Sequence, residues 1–200
     1  GQQSFKAIIC DPPLDSLREN IVMSLETGLG RKGNIFETGP QLAERVVLNS
    51  PILSQRKLRQ LINTPQFGVS SEFLDLNAPS DEPYSDALAR LCQQAENAVD
   101  DGKLVLLISD RYLKRDHLPI HALLATGAIH HHLLECGKRP LCNLIVETGT
   151  ARDAHQIACL IGFGATAVYP YLVYQTLHAM AASGEIENAG DEALQIGRAY

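Results

Sequence analysis

Apolar residues change their spacing along the chain, and the changes divide it in two. Leu14, Leu17, Ile21 and Leu25 recur every three or four positions, so the pattern predicts an amphipathic helix over 14–27. Gly28, Gly30 and Gly33 would end it. Before it, residues 6–10 (KAIIC) read as a short extended piece, closed by Asp11-Pro12-Pro13. Residues 34–82 are interrupted by Pro40, Pro51, Pro65 and Pro79. They predict short strands near 45–48 and 73–76 and a helix near 54–62 with Ser54 as its N-cap. Irregular stretches of this length inside a domain usually form contact surface. Residues 1–83 thus read as an irregular and helical portion.

From residue 84 to 184 the pattern becomes regular. Tyr84, Leu88, Leu91, Ala95 and Ala98 mark a helix over 84–100, closed by Asp101-Gly102. The run LVLLI at 104–108 suits a fully buried strand. A helix over 118–136 follows, with Pro119 in its first turn and Gly137 past its end. Then come a strand over 141–146, a helix over 151–161 closed by Gly162, a strand over 165–168 and a helix over 170–183. Strands and helices that alternate with short links imply an α/β fold of parallel β-α repeats joined by right-handed crossovers. Residues 185–200 are polar.

Composition adds constraints but no chemistry. A single domain of 200 residues needs no disulfide or metal staple. Seventeen Lys+Arg against 23 Asp+Glu give a net charge of −6, which argues against nucleic-acid coating or a polybasic membrane binder. No apolar run approaches a membrane span, and no secretory leader pattern opens the chain. The five cysteines contain no C-x-x-C and read as buried thiols in a reducing compartment.

Four constellations could carry chemistry. Gly28, Gly30 and Gly33 spell G-x-G-x-x-G, but a dinucleotide site needs those glycines after a strand and before a helix. Following a predicted helix, they read instead as a helix end and turn. His130, His131 and His132 project about 100° apart on a helix and cannot converge on one ion. His132 with Cys136, and His117 with His121, are four apart and could form two-ligand half-sites; structural histidines near a helix end are the preferred reading. In parallel sheets, ligands bind beyond the C-terminal strand ends. Those ends carry Ser109-Asp110-Arg111, Glu147-Thr148-Gly149 and Tyr169-Pro170, so Asp110, Arg111, Glu147 and Arg152 should share one rim. The rim could bind a polar substrate, or it could be an ion-pair network that orients loops or meets another domain. No nucleophile elbow and no P-loop occurs.

Five stretches together resemble a known family. They are 12–36 (PPLDSLRENIVMSLETGLGRKGNIF), 50–53 (SPIL), 107–111 (LISDR), 119–134 (PIHALLATGAIHHHLL) and 146–171 (VETGTARDAHQIACLIGFGATAVYPY). In this order they resemble the central domain of the glutamate synthase large subunit. The resemblance implies a parallel, partial TIM-barrel-like sheet inside a multidomain enzyme. That enzyme transfers the amide nitrogen of glutamine to 2-oxoglutarate. In it a cysteine-dependent amidotransferase domain and a domain with FMN and an iron–sulfur cluster flank the central domain. The implied partners are those two domains of the same chain and, in NADPH-dependent forms, a small NADPH-oxidising subunit. The implied location is the cytoplasm, or the plastid in a plant or alga.

The chain lacks the family's N-terminal nucleophilic cysteine and its cluster cysteines. It is expected to begin after the first part of the central domain and to stop before the flavin domain. The expected role is therefore a non-catalytic connection that holds the two catalytic domains and the ammonia path between them. No residue here is assigned to catalysis, cofactor or metal. Asp110, Arg111, Glu147, Thr148, Arg152 and His131 are the expected rim or interdomain contacts. The alternative is an independent α/β enzyme that binds a small molecule or metal through Asp110, Glu147 and a nearby histidine.

Overall fold

The short apolar runs of the second half form the centre of the molecule. The computed structural model describes residues 27–30, 46–63 and 70–186. In chain order the elements are β1 (Thr27–Leu29), β2 (Val46–Leu48), α1 (Gln55–Asn63), β3 (Ser71–Asp75) and β4 (Asn77–Pro79). There follow α2 (Tyr84–Asp100), β5 (Val105–Ser109), β6 (His117–Pro119), α3 (Ala122–Glu135) and β7 (Asn143–Glu147). The last are α4 (Ala154–Gly162), β8 (Ala167–Tyr169) and α5 (Tyr171–Ser183). Strands β3, β5, β7 and β8 form a parallel sheet in sequential order. This is the α/β pattern of alternating strands and helices that the sequence predicts, with the strand order of a barrel segment.

Strand alternation gives each face of the sheet its own core. Leu74, Ile108, Val146 and Val168 pair across the four strands and face α2, α3 and α4. Ala87, Leu91 and Ala95 of α2, and Ala125, Ile129 and Leu133 of α3, cover that face at helical spacing. Each fully buried aliphatic side chain contributes about 1.5–3 kcal/mol of transfer free energy. The opposite face carries Val105, Ile145, Ala167 and Tyr169, packed under Leu29, Leu53, Leu58, Leu61 and Tyr174. Residues 51–53 extend the sheet beside β8: Val168 N donates to Pro51 O at 2.8 Å, and Leu53 N to Val168 O at 2.8 Å. Leu29, Leu53, Leu58 and Leu61 of the first half therefore cover part of one face of the sheet.

Several elements differ from their predicted form. The helix expected over 14–27 lies outside the described residues except for Thr27, which begins β1. Gly28 sits in that strand, paired with Val47, rather than in a helix cap. Pro119 does not open a helix. It closes β6, which pairs with β4, and its missing N–H suits a two-stranded ribbon. Helix α3 starts three residues later, with His121 Nδ1 accepting from Leu123 N at 3.3 Å. His117 and His121 are thus not helical neighbours, and that half-site does not form. Helix α4 likewise begins at Ala154 behind an Asp153 cap, not at 151. Ser54 does cap α1, accepting from Lys57 N at 3.3 Å. Of the described cysteines only Cys142 is buried, so the expectation of buried thiols fails for Cys92, Cys136 and Cys159. The extended piece at 6–10 and the tail at 187–200 lie outside the described residues.

Gly164 links α4 to β8 with φ +116°, directly against the ring of His130. A Cβ there would collide with the imidazole as well as strain the backbone. Gly102 also has positive φ, +81°, but faces open space. Gly164→Ala should therefore destabilise by about 3 kcal/mol or more, and Gly102→Ala by about 1 kcal/mol. Urea unfolding midpoints of the two variants would measure this; equal losses would rule out the His130 contact as its cause.

Candidate functional site

The pairing register brings one polar row to the C-terminal edge of the sheet. Asp75, Ser109, Glu147 and Tyr169 are mutual neighbours at the last positions of β3, β5, β7 and β8. Glu147 is 3% exposed and needs matching groups at close range. Ser109 Oγ donates to Glu147 Oε2 at 2.7 Å. Arg111 Nη1 donates to Glu147 Oε1 at 2.9 Å and completes a partly buried ion pair. Burial works against the Arg111 charge, but Glu147 holds the guanidinium above its ordinary pKa.

Next to this pair, the buried Asp110 organises the turn after β7. The Thr148 hydroxyl donates to Asp110 Oδ2, and Gly149 N donates to Oδ1 at 3.1 Å. Thr150 N donates back to Thr148 Oγ1 at 3.1 Å. Gly149 lies close under α5: a Cβ there would lie 2.7 Å from Leu172 Cδ1 and 2.9 Å from the Tyr171 hydroxyl, so these side chains would have to shift to admit one. The Arg111 guanidinium lies 5.9, 5.9 and 5.4 Å from the ring centres of Tyr112, Tyr169 and Tyr171, within cation–π range. Asp75 anchors the outer corner. It accepts from Asn77 Nδ2 at 2.7 Å and pairs with Lys114 at 2.7 Å. This fixes the start of β4 over the rim.

The arrangement is a closed network. Both oxygens of Glu147 and both oxygens of Asp110 accept hydrogen bonds from within the domain. Four of the six candidate residues, Asp110, Arg111, Glu147 and Thr148, come together here as the sequence implies. Arg152 does not join them: its backbone N–H bonds Gln156, and its exposed guanidinium has no partner among the described residues. His131 is also elsewhere. It is exposed on the second half of α3, which runs back toward the N-terminal ends of the strands. The three histidines diverge as expected. His130 accepts from Arg139 Nε at 3.0 Å, His132 meets Glu96 at 2.7 Å, and the His131 ring lies edge-on to that of His130 with ring centres 5.4 Å apart.

A cavity of about 240 Å³ opens beside the rim, lined by His121, Thr150, His155 and Cys159 among others. Neither Asp110 nor Glu147 reaches it, so it does not supply the acid–base pocket of the alternative reading. Sequence reasoning missed the roles of Asp75, Tyr112 and Tyr171. The shared parity of the strand-end residues could have indicated Asp75; the tyrosine stack has no local sequence signal.

The comparisons point to one family. The family described as "Glutamate synthase central domain" matches residues 2–199. The chloroplastic ferredoxin-dependent glutamate synthase of Spinacia oleracea is 39% identical over 186 residues, covering 91% of this chain and 12% of that protein. The NADH glutamate synthase of Saccharomyces cerevisiae is 36% identical over 193 residues, covering 93% of this chain and 9% of that protein. The ferredoxin-dependent enzyme of Pyropia yezoensis is 34% identical, covering 85% and 11%. The chain thus spans only about a tenth of the length of these relatives.

Burial, with the Asp110 carboxylate beside it, pushes the Tyr171 phenol up to about 12. An unfolded tyrosine titrates near pH 10. The neutral phenol therefore contributes stability that is full below about pH 10 and is lost as pH rises toward about 12. Tyrosinate absorbance should show Tyr171 ionising after the exposed tyrosines, and Tyr171→Phe should flatten the alkaline loss of stability. Ionisation of Tyr171 together with the exposed phenols would contradict this placement.

Proposed function

The chain belongs to the glutamate synthase central-domain family, and from that premise we propose that it is a non-catalytic connecting domain of that enzyme. Its parent transfers glutamine amide nitrogen to 2-oxoglutarate to form glutamate. The central domain holds the amidotransferase and flavin domains in register and helps to enclose the ammonia path between them. The observation that carries this reading is the closed rim. Its two buried carboxylates are engaged by Ser109, Arg111, Thr148 and Gly149, which leaves neither poised as a general acid or base. Its outward groups are of the kind that meet a neighbouring domain. Tyr112 and Leu113 are 58% and 66% exposed, and Arg152 offers an unengaged planar fork of donors. Arg111, by contrast, is committed inside the domain.

The cofactors belong to other domains on this reading. An iron–sulfur cluster needs several converging cysteine thiolates. The closest ligand group among the described residues contains one cysteine, Cys136, so these residues do not fit a cluster. FMN, the cluster and any NADPH-oxidising subunit are accordingly assigned to the rest of the enzyme. No described helix is long and apolar enough to cross a membrane. The proposed location is the cytoplasm, or the plastid in a plant or alga, as the name of the spinach relative suggests for that protein.

The test uses the full-length enzyme. Arg152→Ala combined with Leu113→Ser should leave glutamine hydrolysis and ammonia-dependent glutamate formation each within about 3-fold. More glutamine should then be hydrolysed than glutamate formed, because coupling between the sites is loosened. A loss of about 100-fold or more in either half-reaction on Glu147→Gln, in a protein that remains folded, would place catalysis at the rim and overturn the proposal.

A further inference from the structure

Far from the rim, the last turns of α2 and α3 lie side by side and direct three metal-binding groups at one point. His132 and Cys136 are one turn apart at the end of α3. Glu96 answers from α2. One ligand atom from each lies within 4.8 Å of the others. His132 Nε2 is 2.7 Å from Glu96 Oε2 and 3.8 Å from Cys136 Sγ. The sequence spacing of His132 and Cys136 suggested half a site; the packing of α2 on α3 adds the third ligand.

We propose that Glu96, His132 and Cys136 bind a zinc ion. Imidazole, thiolate and carboxylate are the borderline donor set that zinc prefers. Tetrahedral zinc with bonds of about 2.0–2.3 Å holds its nitrogen and sulfur ligands about 3.6 Å apart. The observed 3.8 Å is close to that spacing. The carboxylate must withdraw by about 0.7 Å to replace its bond to His132, a small change for a half-buried side chain. Cys136 is exposed, so the fourth position faces solvent.

The charges favour a cation at this point. Two helix C-termini converge here, and each places about half a negative charge at its end. Lys138 Nζ holds Glu96 Oε1 and Asp100 Oδ2, both at 2.8 Å, and leaves Oε2 for the ion. With zinc bound, Glu96, Asp100 and the Cys136 thiolate balance Lys138 and the ion. Ligation by Cys136 as a thiolate displaces its thiol proton to solvent. The ion would tie the ends of α2 and α3, which no backbone hydrogen bond links.

The experiment titrates the full-length protein, dialysed against a weak chelator, with zinc in competition with a chromophoric chelator. Cobalt serves as the spectroscopic probe. Cys136→Ser, His132→Gln and Glu96→Gln should each weaken one zinc equivalent by at least about 30-fold. The cobalt difference spectrum between wild type and Cys136→Ser should contain a thiolate charge-transfer band, and Cys159→Ser should leave that band intact. Unchanged unfolding midpoints in excess chelator would show that the variants fold. Identical zinc titrations for wild type and the three variants would overturn the proposal, as would a cobalt band that survives Cys136→Ser. In that case the cluster is an ion-pair network held by Lys138.

Discussion

Glu147 ends the central strand β7 with its carboxylate almost wholly buried, and the rim is arranged around that charge. An ion taken out of water costs several kcal/mol unless partners replace its hydration. The parallel register supplies the first partner, because Ser109 lies directly opposite on β5. The turn after β5 supplies the second by carrying Arg111 back over the sheet. Arg111 then settles among the rings of Tyr112, Tyr169 and Tyr171, which brings the start of α5 and the turn after β5 together. One buried charge thus constrains two strand ends and the turns that leave them.

The opposite end of the sheet has its own polar clasp. Arg139 is largely buried, and that burial holds its pKa below the ordinary value. It donates to His130 Nδ1, to Cys142 O at 2.8 Å and to Gly164 O at 2.7 Å. These acceptors belong to α3, the approach to β7 and the approach to β8. Multiple donors in a planar fork suit such a junction better than an ammonium would. Between the two clasps the inner strands β5 and β7 are apolar on both faces. Both buried carboxylates of the rim are engaged within the domain.

The β-α repeats were legible in the sequence because their causes are local. Each strand is a short apolar run, and Gly102 and Gly137 follow α2 and α3 where the chain must reverse. Ser109, Asp110, Glu147 and Thr148 could be placed at one rim because parallel strands align their C-terminal ends. What failed depended on distant partners. Pro119 looks like a helix opener until β4 pairs with β6. Thr27 and Gly28 look like a helix end until Leu48 and Val47 come beside them. Arg152 is near the rim in sequence, but only the path of the turn decides that its side chain leaves it. Glu96 carries no signal linking it to His132, because that contact depends on how α2 packs on α3.

The Arg111–Glu147 pair holds the rim as a unit. A double-mutant cycle on unfolding free energy tests it most directly, using Arg111→Ala, Glu147→Ala and the double variant. The two losses should be strongly non-additive, with a coupling of about 1–3 kcal/mol, because each single change leaves the other charge without its partner. Additive losses would contradict it, since they would mean that the two side chains stabilise the fold independently.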